Sequence, residues 1–160
     1  MDTQQQERVV SFFRFEDLRV YGKATDYANW VIANLANAGS DAARVLIESF
    51  CRSAFDIALN IAEGSARNKS QFDHYLKISK TAIRECIVYT AVAVKEGLMN
   101  DEQGNQSREY LMELTRMIGA LIISLQRGSR RRDDESYPSD YDDAPANDGF
   151  DPLDAISSDF

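Results

Sequence analysis

Residues 41–70 read DAARVLIESFCRSAFDIALNIAEGSARNKS. An apolar run of helical period begins beside Asp41, a residue suited to a helix N-cap, and reaches Glu63, where Gly64 offers a stop. A short polar stretch leads to Ser70, which can cap a second helical run. Read this way the segment is a helix, a tight corner and another helix. Gly64 can take the left-handed conformation that terminates a helix. Asn60 and Glu63, one turn apart, can hydrogen-bond to backbone groups of the corner, and Arg67 can neutralise Glu63. The other reading of Asn60, Glu63, Gly64, Arg67 and Ser70 is a reactive site.

Outward from this corner, apolar residues recur near period 3.6 in four segments, and no alternating period-two run competes with them. The first spans about residues 16–38, with Leu18, Tyr21, Ala24, Ala28, Val31, Ile32 and Leu35 on one side and Gly39 as its stop. The second runs from Asp41 to Glu63. The third starts at Ser70 and passes through Phe72, Leu76, Ala82, Ile83, Cys86, Ile87, Ala93 and Val94 to Gly97. The fourth starts around Ser107 and repeats Leu111, Leu114, Ile118, Leu121 and Leu125, the alternating spacing of a packing seam. Long helices with short connections predict an all-α, antiparallel up-down-up-down four-helix bundle over residues 12–127. Residues 1–11 are expected to be a flexible N-terminus. Residues 128–160, an Arg cluster followed by acidic sequence with all three prolines, are expected to form a disordered tail.

The second helix is more apolar than a bundle requires. A bundle helix buries one stripe and keeps a wide polar face. Here Val45, Leu46, Ile47, Phe50, Cys51, Phe55, Ile57, Leu59 and Ile61, with several alanines, cover most of the circumference. Ser49, Arg52, Ser53, Asp56, Asn60 and Glu63 share one narrow stripe. Either this helix is central in its own bundle, or its surplus apolar surface is covered by other copies of the chain, most simply in a closed symmetric oligomer.

Composition narrows the function classes. All 18 Lys and Arg lie at or before Arg132, whereas 10 of the 26 Asp and Glu lie between Asp133 and Asp159. The first 132 residues therefore carry +2 and the last 28 carry −10, which together give the net −8. No stretch approaches the roughly 18 to 20 apolar residues that cross a bilayer, so no membrane is expected. The polar, acidic start MDTQQQERVV lacks the order of a secretory signal, and the expected location is cytoplasmic. Cys51 and Cys86 sit in apolar helical contexts and are expected to be free thiols. The single histidine, His74, has no nucleophile elbow around it, no Glu-x-x-His pair marks a di-metal bundle, and no glycine loop cradles phosphate. No catalytic group, metal or cofactor is expected, and the chain does not read as an enzyme.

Charge placement gives a better lead. His74, Lys77, Lys80 and Arg84 recur at intervals of three and four on the third helix. Arg67 and Lys69 precede them, and Arg127, Arg130, Arg131 and Arg132 follow the fourth helix. Such a stripe can contact phosphates, and an oligomer would multiply it. The alternative is an ordinary solvated face diluted by Asp73 and Glu85. No aromatic platform interleaves with these residues, so stacking on unpaired bases is not indicated.

The runs FEDLRVYGKA (residues 15–24) and CRSAFDIALNIAEGSARNKSQFDHYLKISKTAIRE (residues 51–85) resemble a family of four-helix-bundle proteins. That family includes proteins encoded within ribosomal RNA intervening sequences and the accessory variability determinant proteins of diversity-generating retroelements. The similarity covers residues 12–127, and Asn-Ile-Ala-Glu-Gly-x-x-Arg is its most specific part. The matching positions are Phe15, Leu18, Val20, Arg52, Ala54, Asn60, Ile61, Ala62, Glu63, Gly64, Arg67, Ser70, Phe72, Leu76 and Glu85. The resemblance implies a homopentamer and, for the retroelement members, binding of nucleic acid and association with a reverse transcriptase. The first functional expectation is thus an oligomeric adaptor for RNA or DNA, or for a nucleic-acid enzyme. The second is a protein-interaction scaffold whose acidic tail, punctuated by Phe150 and Phe160, takes a basic protein partner.

Overall fold

The computed structural model describes residues 12–35 and 40–135, with side chains at all of these except 42 and 129–135. The segment expected to be flexible over residues 1–11, the Gly39 stop and the acidic stretch beyond Glu135, with Phe150 and Phe160, lie outside the described residues. A turn of 3-10 helix, Arg14–Asp17, precedes four helices: α1 (Arg19–Leu35), α2 (Asp41–Ser65), α3 (Lys69–Lys95) and α4 (Asp101–Glu135).

Capping residues set most of these boundaries. The Ser40 hydroxyl accepts from the Ala43 N–H at 3.1 Å, so Ser40 caps α2 and Asp41 becomes the acidic first residue at its positive pole. Asn68, not Ser70, caps α3, accepting from the Gln71 N–H at 3.0 Å. Asn100 and Gln103 form a reciprocal box. The Gln103 N–H donates to Asn100 Oδ1 at 2.8 Å, and the Asn100 N–H donates to Gln103 Oε1 at 2.9 Å. That box starts α4 at Asp101, ahead of the Ser107 expected from the sequence. Helix α3 ends as predicted at Gly97, whose φ of 71° lets the Leu98 N–H reach back to the Ala93 carbonyl at 2.9 Å. Gly128 does not stop α4, which continues through Glu135.

Numbering across the interfaces fixes the topology. Ser53 meets Glu85, Ile57 meets Ser79, and Gly64 meets Phe72, so α3 runs antiparallel to α2. Thr90 meets Ser107 and Asp73 meets Gln126, so α4 runs antiparallel to α3. Lys23 with Glu113, Tyr27 with Ser107, and Asn34 with Gln103 close α4 against α1. Packing joins α1–α2, α2–α3, α3–α4 and α1–α4, leaving α1/α3 and α2/α4 on the diagonals of an up-down-up-down bundle.

The core fills with one stripe from each helix. Tyr27, Leu35, Phe50, Ile57, Ile61, Phe72, Leu76 and the predicted α4 seam Leu111, Leu114, Ile118, Leu121 and Leu125 are buried. Each buried large aliphatic or aromatic side chain contributes about 1.5–3 kcal/mol relative to exposure. One polar network runs through this core. The Ser107 hydroxyl lies 2.9 Å from the Tyr27 hydroxyl and 2.7 Å from that of Thr90, which also reaches the Cys86 carbonyl at 2.8 Å. It pins α1, α3 and α4 to one register. Among the described residues no buried side-chain nitrogen or oxygen lacks a partner.

Both cysteines are free. Burial pushes the Cys86 thiol up to about 12 and raises that of half-buried Cys51, which disfavours the reactive thiolate. Among the described residues no helix is long and apolar enough to cross a membrane.

Candidate nucleic-acid interface

The α2–α3 corner is closed by backbone bonds more than by side chains. The Ala66 N–H reaches the Glu63 carbonyl at 3.3 Å, and the Arg67 N–H reaches that of Gly64 at 3.0 Å. Gly64 lies inside the last turn of α2 and is not the left-handed terminator the sequence suggests. Its missing Cβ serves another purpose. A Cβ there would lie 2.7 Å from both Phe72 Cδ2 and Tyr75 Cβ, so glycine permits α2 and α3 to close on each other. Asn60 also works differently from expectation, donating to the Asp56 carbonyl of its own helix at 2.7 Å. The Glu63–Arg67 pair does form, with Arg67 Nε 3.0 Å from Glu63 Oε1, and this hydrogen bond raises the guanidinium pKa. Ser70 is exposed in the first turn of α3.

Antiparallel packing decides which basic residues come together. The C-terminus of α2, the N-terminus of α3 and the C-terminal part of α4 share one end of the bundle. There Gln126 donates to Asp73 at 3.5 Å, and Lys69 Nζ lies 3.0 Å from where a Gly128 Cβ would be. This end therefore collects Arg67, Lys69, His74, Lys77 and Arg127. Arg67, His74, Lys77 and Arg127 are exposed, and Lys69 is half-buried beside α4. Lys80 and Arg84 continue along α3, so the basic strip from Lys69 to Arg84 is about 22 Å long at 1.5 Å per residue. Lys77 pairs with Asp73 four residues before it. Exposed pairs of this type are weak enough to be exchanged for a ligand anion. Arg130, Arg131 and Arg132 occupy helical positions of α4 beyond the level of Lys69. That overhang extends about 10 Å to Glu135.

Two basic residues at this end are separated from the rest by the length of the chain and escape a sequence reading. Arg14, in the 3-10 turn, and Arg19, opening α1, are exposed at the end where α2 finishes. Their signal was the parity of the bundle, in which the start of the first helix must share an end with the start of the third. The same parity gathers Asp41, Glu96, Asp101 and Glu102 at the opposite end, with Arg44 and Lys95 between them. Cations outnumber anions at the first end, where Glu16, Asp17, Glu63 and Asp73 also lie, and the bundle is polar along its axis.

The second candidate surface is apolar. Helices α1 and α3 cover much of α2, yet Val45 (67% exposed), Phe55 (44%) and Leu59 (61%) remain on its outer face. They share the spacing Val45, Glu48, Arg52, Phe55, Leu59. Of the expected polar stripe, Ser53 points instead toward α3, where its buried hydroxyl donates to Glu85 at 2.6 Å, while Arg52 stays on the outer face. Ile78, Val88 and Val92 of α3 are exposed as well. The ring cluster of Tyr27, Trp30 and Tyr110 sits between α1 and α4. Lys23 lies over Tyr110, 4.9 Å from the ring centre, and bonds Glu113 at 2.6 Å, so this cluster is not a platform within the basic strip.

Among the described residues no group of three or more His, Cys, Asp or Glu is placed to hold a metal ion. No curated protein matches the chain. The model of the 23S rRNA-intervening sequence protein family matches residues 16–120. The match takes in α1, α2, α3, the corner between them and most of α4. Because it spans well over half of the sequence, the chain belongs to the 23S rRNA-intervening sequence protein family.

Proposed function

We propose that this chain is a non-enzymatic adaptor that assembles with copies of itself and binds nucleic acid, or a nucleic-acid enzyme such as a reverse transcriptase, through its basic end. The observation that carries the reading is the convergence of Arg67 from the α2–α3 corner, Lys69, His74 and Lys77 from α3 and Arg127 from α4, continued by Lys80 and Arg84. A solvated helix face needs no such convergence, whereas a phosphate backbone is held by several cations at once. The outer face of α2, with Val45, Phe55 and Leu59 exposed, supports self-association. A homopentamer, the assembly implied by the sequence resemblance, would repeat the basic end around a ring and raise the local field.

The test is fluorescence anisotropy with a labelled RNA at several salt concentrations, using the full chain and a variant carrying Lys77→Glu, Lys80→Glu and Arg84→Glu. Affinity is expected to fall steeply with salt for the native chain. The variant is expected to lose affinity and to shorten the salt slope by roughly one unit per removed phosphate contact. Binding that ignores salt, or that the triple reversal leaves unchanged while circular dichroism shows an intact helical fold, refutes the reading.

A further inference from the structure

The basic end of the bundle is also the end from which the acidic tail departs. After Arg132 the chain has no Lys or Arg, and residues 136–160 carry seven aspartates: Asp140, Asp142, Asp143, Asp148, Asp151, Asp154 and Asp159. The last described helical residue, Glu135, stands about 10 Å past the start of α3, at the tip of the α4 overhang. From that tip Lys77 is about 22 Å back along the bundle axis, and Arg84 about 33 Å. Twenty-five residues can span at most roughly 80 Å, so the whole basic strip lies within reach. Attachment at the same end holds the aspartates near the strip at high effective concentration, which offsets weak individual contacts. The opposite end, with Asp41, Glu96, Asp101 and Glu102, repels them.

The same end also exposes aromatic surface. Phe12 is 91% exposed, and Phe13, packed edge-on against it at 5.2 Å, is 55% exposed beside Arg14. An anion composed only of phosphates has no use for these rings. Residues 136–160, in contrast, interleave their aspartates with Tyr137, Tyr141, Phe150, Leu153 and Ile156. Charge and apolar content match on both sides.

We propose that residues 136–160 dock on this end of their own bundle, covering Lys69, Lys77, Lys80 and the Phe12–Phe13 surface, and so compete with phosphate ligands for it. The competition rests on the proposed nucleic-acid binding; the docking does not. Carbodiimide cross-linking of the full chain followed by peptide mass spectrometry tests the docking without any nucleic acid. The reagent joins a carboxylate to an amine only at contact, and the five lysines supply their own controls. Lys69, Lys77 and Lys80 line the proposed dock, Lys95 marks the far end, and Lys23 and Lys77 each also have a carboxylate partner in the bundle, Glu113 and Asp73.

Bridges from the seven aspartates to Lys69, Lys77 and Lys80 should exceed those to Lys95 at least fivefold in 50 mM salt and collapse in 500 mM salt. Replacing Arg67 and Arg127 by Glu should reduce them. Equal yields at Lys95, yields indifferent to salt, or bridges that survive both substitutions overturn the docking. The competition is tested separately: replacing the seven aspartates by Asn in the full chain should tighten RNA binding about tenfold at low salt. Unchanged RNA affinity in that variant, with the cross-links present in the native chain, overturns the competition and leaves the docking in place. Absence of RNA binding by both proteins overturns the nucleic-acid reading instead.

Discussion

Gly64→Ala separates two accounts of the glycine that ends the family-like motif. If Gly64 only closed a helix in an open site, alanine would be tolerated or would stabilise, because it is the better helix former by roughly 1 kcal/mol. The structure predicts the opposite sign. The added Cβ would lie 2.7 Å from Phe72 Cδ2 and 2.7 Å from Tyr75 Cβ. Phe72 is fully buried, and the Tyr75 contact is to a carbon fixed to the α3 backbone, so neither can swing aside. Relief requires α3 to move away from α2 along the corner. Overpacking costs about 1–3 kcal/mol, and two contacts at 2.7 Å to atoms that cannot yield belong in the upper part of that range, about 2–3; subtracting the propensity gain of about 1 leaves a net loss of about 1–2 kcal/mol.

Gly22 of α1 and Gly119 of α4 provide the controls, since a Cβ at either meets nothing within 4 Å. Gly22→Ala and Gly119→Ala should stabilise by about 0.5–1 kcal/mol through propensity alone. Urea denaturation at one fixed protein concentration reads all three, because association would otherwise shift the midpoint. With a slope of about 2 kcal/mol per molar urea, Gly64→Ala should lower the midpoint by about 0.5–1 M, while the two controls raise it. A Gly64→Ala midpoint equal to or above that of the native chain would refute the close-packing account.

Three other outcomes follow from the same fold. Ser107→Ala removes two buried hydrogen bonds, those to the Tyr27 and Thr90 hydroxyls, of which Thr90 keeps its bond to the Cys86 carbonyl, and should cost about 2 kcal/mol in denaturation. Tyr27→Phe leaves the Ser107–Thr90 bond in place and should cost about half as much. Stability should fall above pH 9: the Cys86 thiol titrates near 12 in the fold and near 8.5 when unfolded. Between those values the folded state holds the extra proton, so stability is lost as pH rises, at up to about 1.4 kcal/mol per pH unit from this group. Tyr27, also raised by burial, steepens the decline. The urea midpoint measured at pH 7, 9 and 10 checks the direction, and a midpoint constant over that range contradicts it. Leu59→Glu should leave the helical signal intact, because Leu59 is 61% exposed on one chain, while reducing the particle mass measured by light scattering. A native chain that scatters as a single subunit at micromolar concentration removes the basis for self-association.

The sequence carried the helices well because each announces itself by local pattern, as the Leu111–Leu125 seam does. Helix starts were less legible where several cap-forming residues lay close together. Asn68 and Ser70 both qualify, and the fold uses Asn68; Asn100 with Gln103 forms a full box ahead of Ser107, which is instead buried as the hub of the hydrogen-bond network. Gly128 reads as a breaker, yet α4 passes through it beside Lys69. Gly64 illustrates the harder limit. Its role depends on Phe72 and Tyr75 arriving from another helix, and nothing in its immediate neighbours distinguishes a close approach from a left-handed turn.

The candidate site follows the same division between local and assembled information. The strip Lys77, Lys80, Arg84 is visible as a period on one helix, but its meaning changes once the bundle's parity is known. Odd-numbered helices start, and even-numbered ones finish, at the same end. Arg14 and Arg19 therefore join Arg67, Lys69 and Arg127, while the acidic first turns of α2 and α4 gather at the other end. A net charge of only +2 over residues 1–132 conceals this separation, since a sum has no direction. What a phosphate ligand or an acidic peptide meets is the local field at one end, to which α1, the α2–α3 corner, α3 and α4 all contribute cations. Near-neutral composition is thus no argument against anion binding by this bundle; reversing the charges at that end, and only there, is the perturbation that tests it.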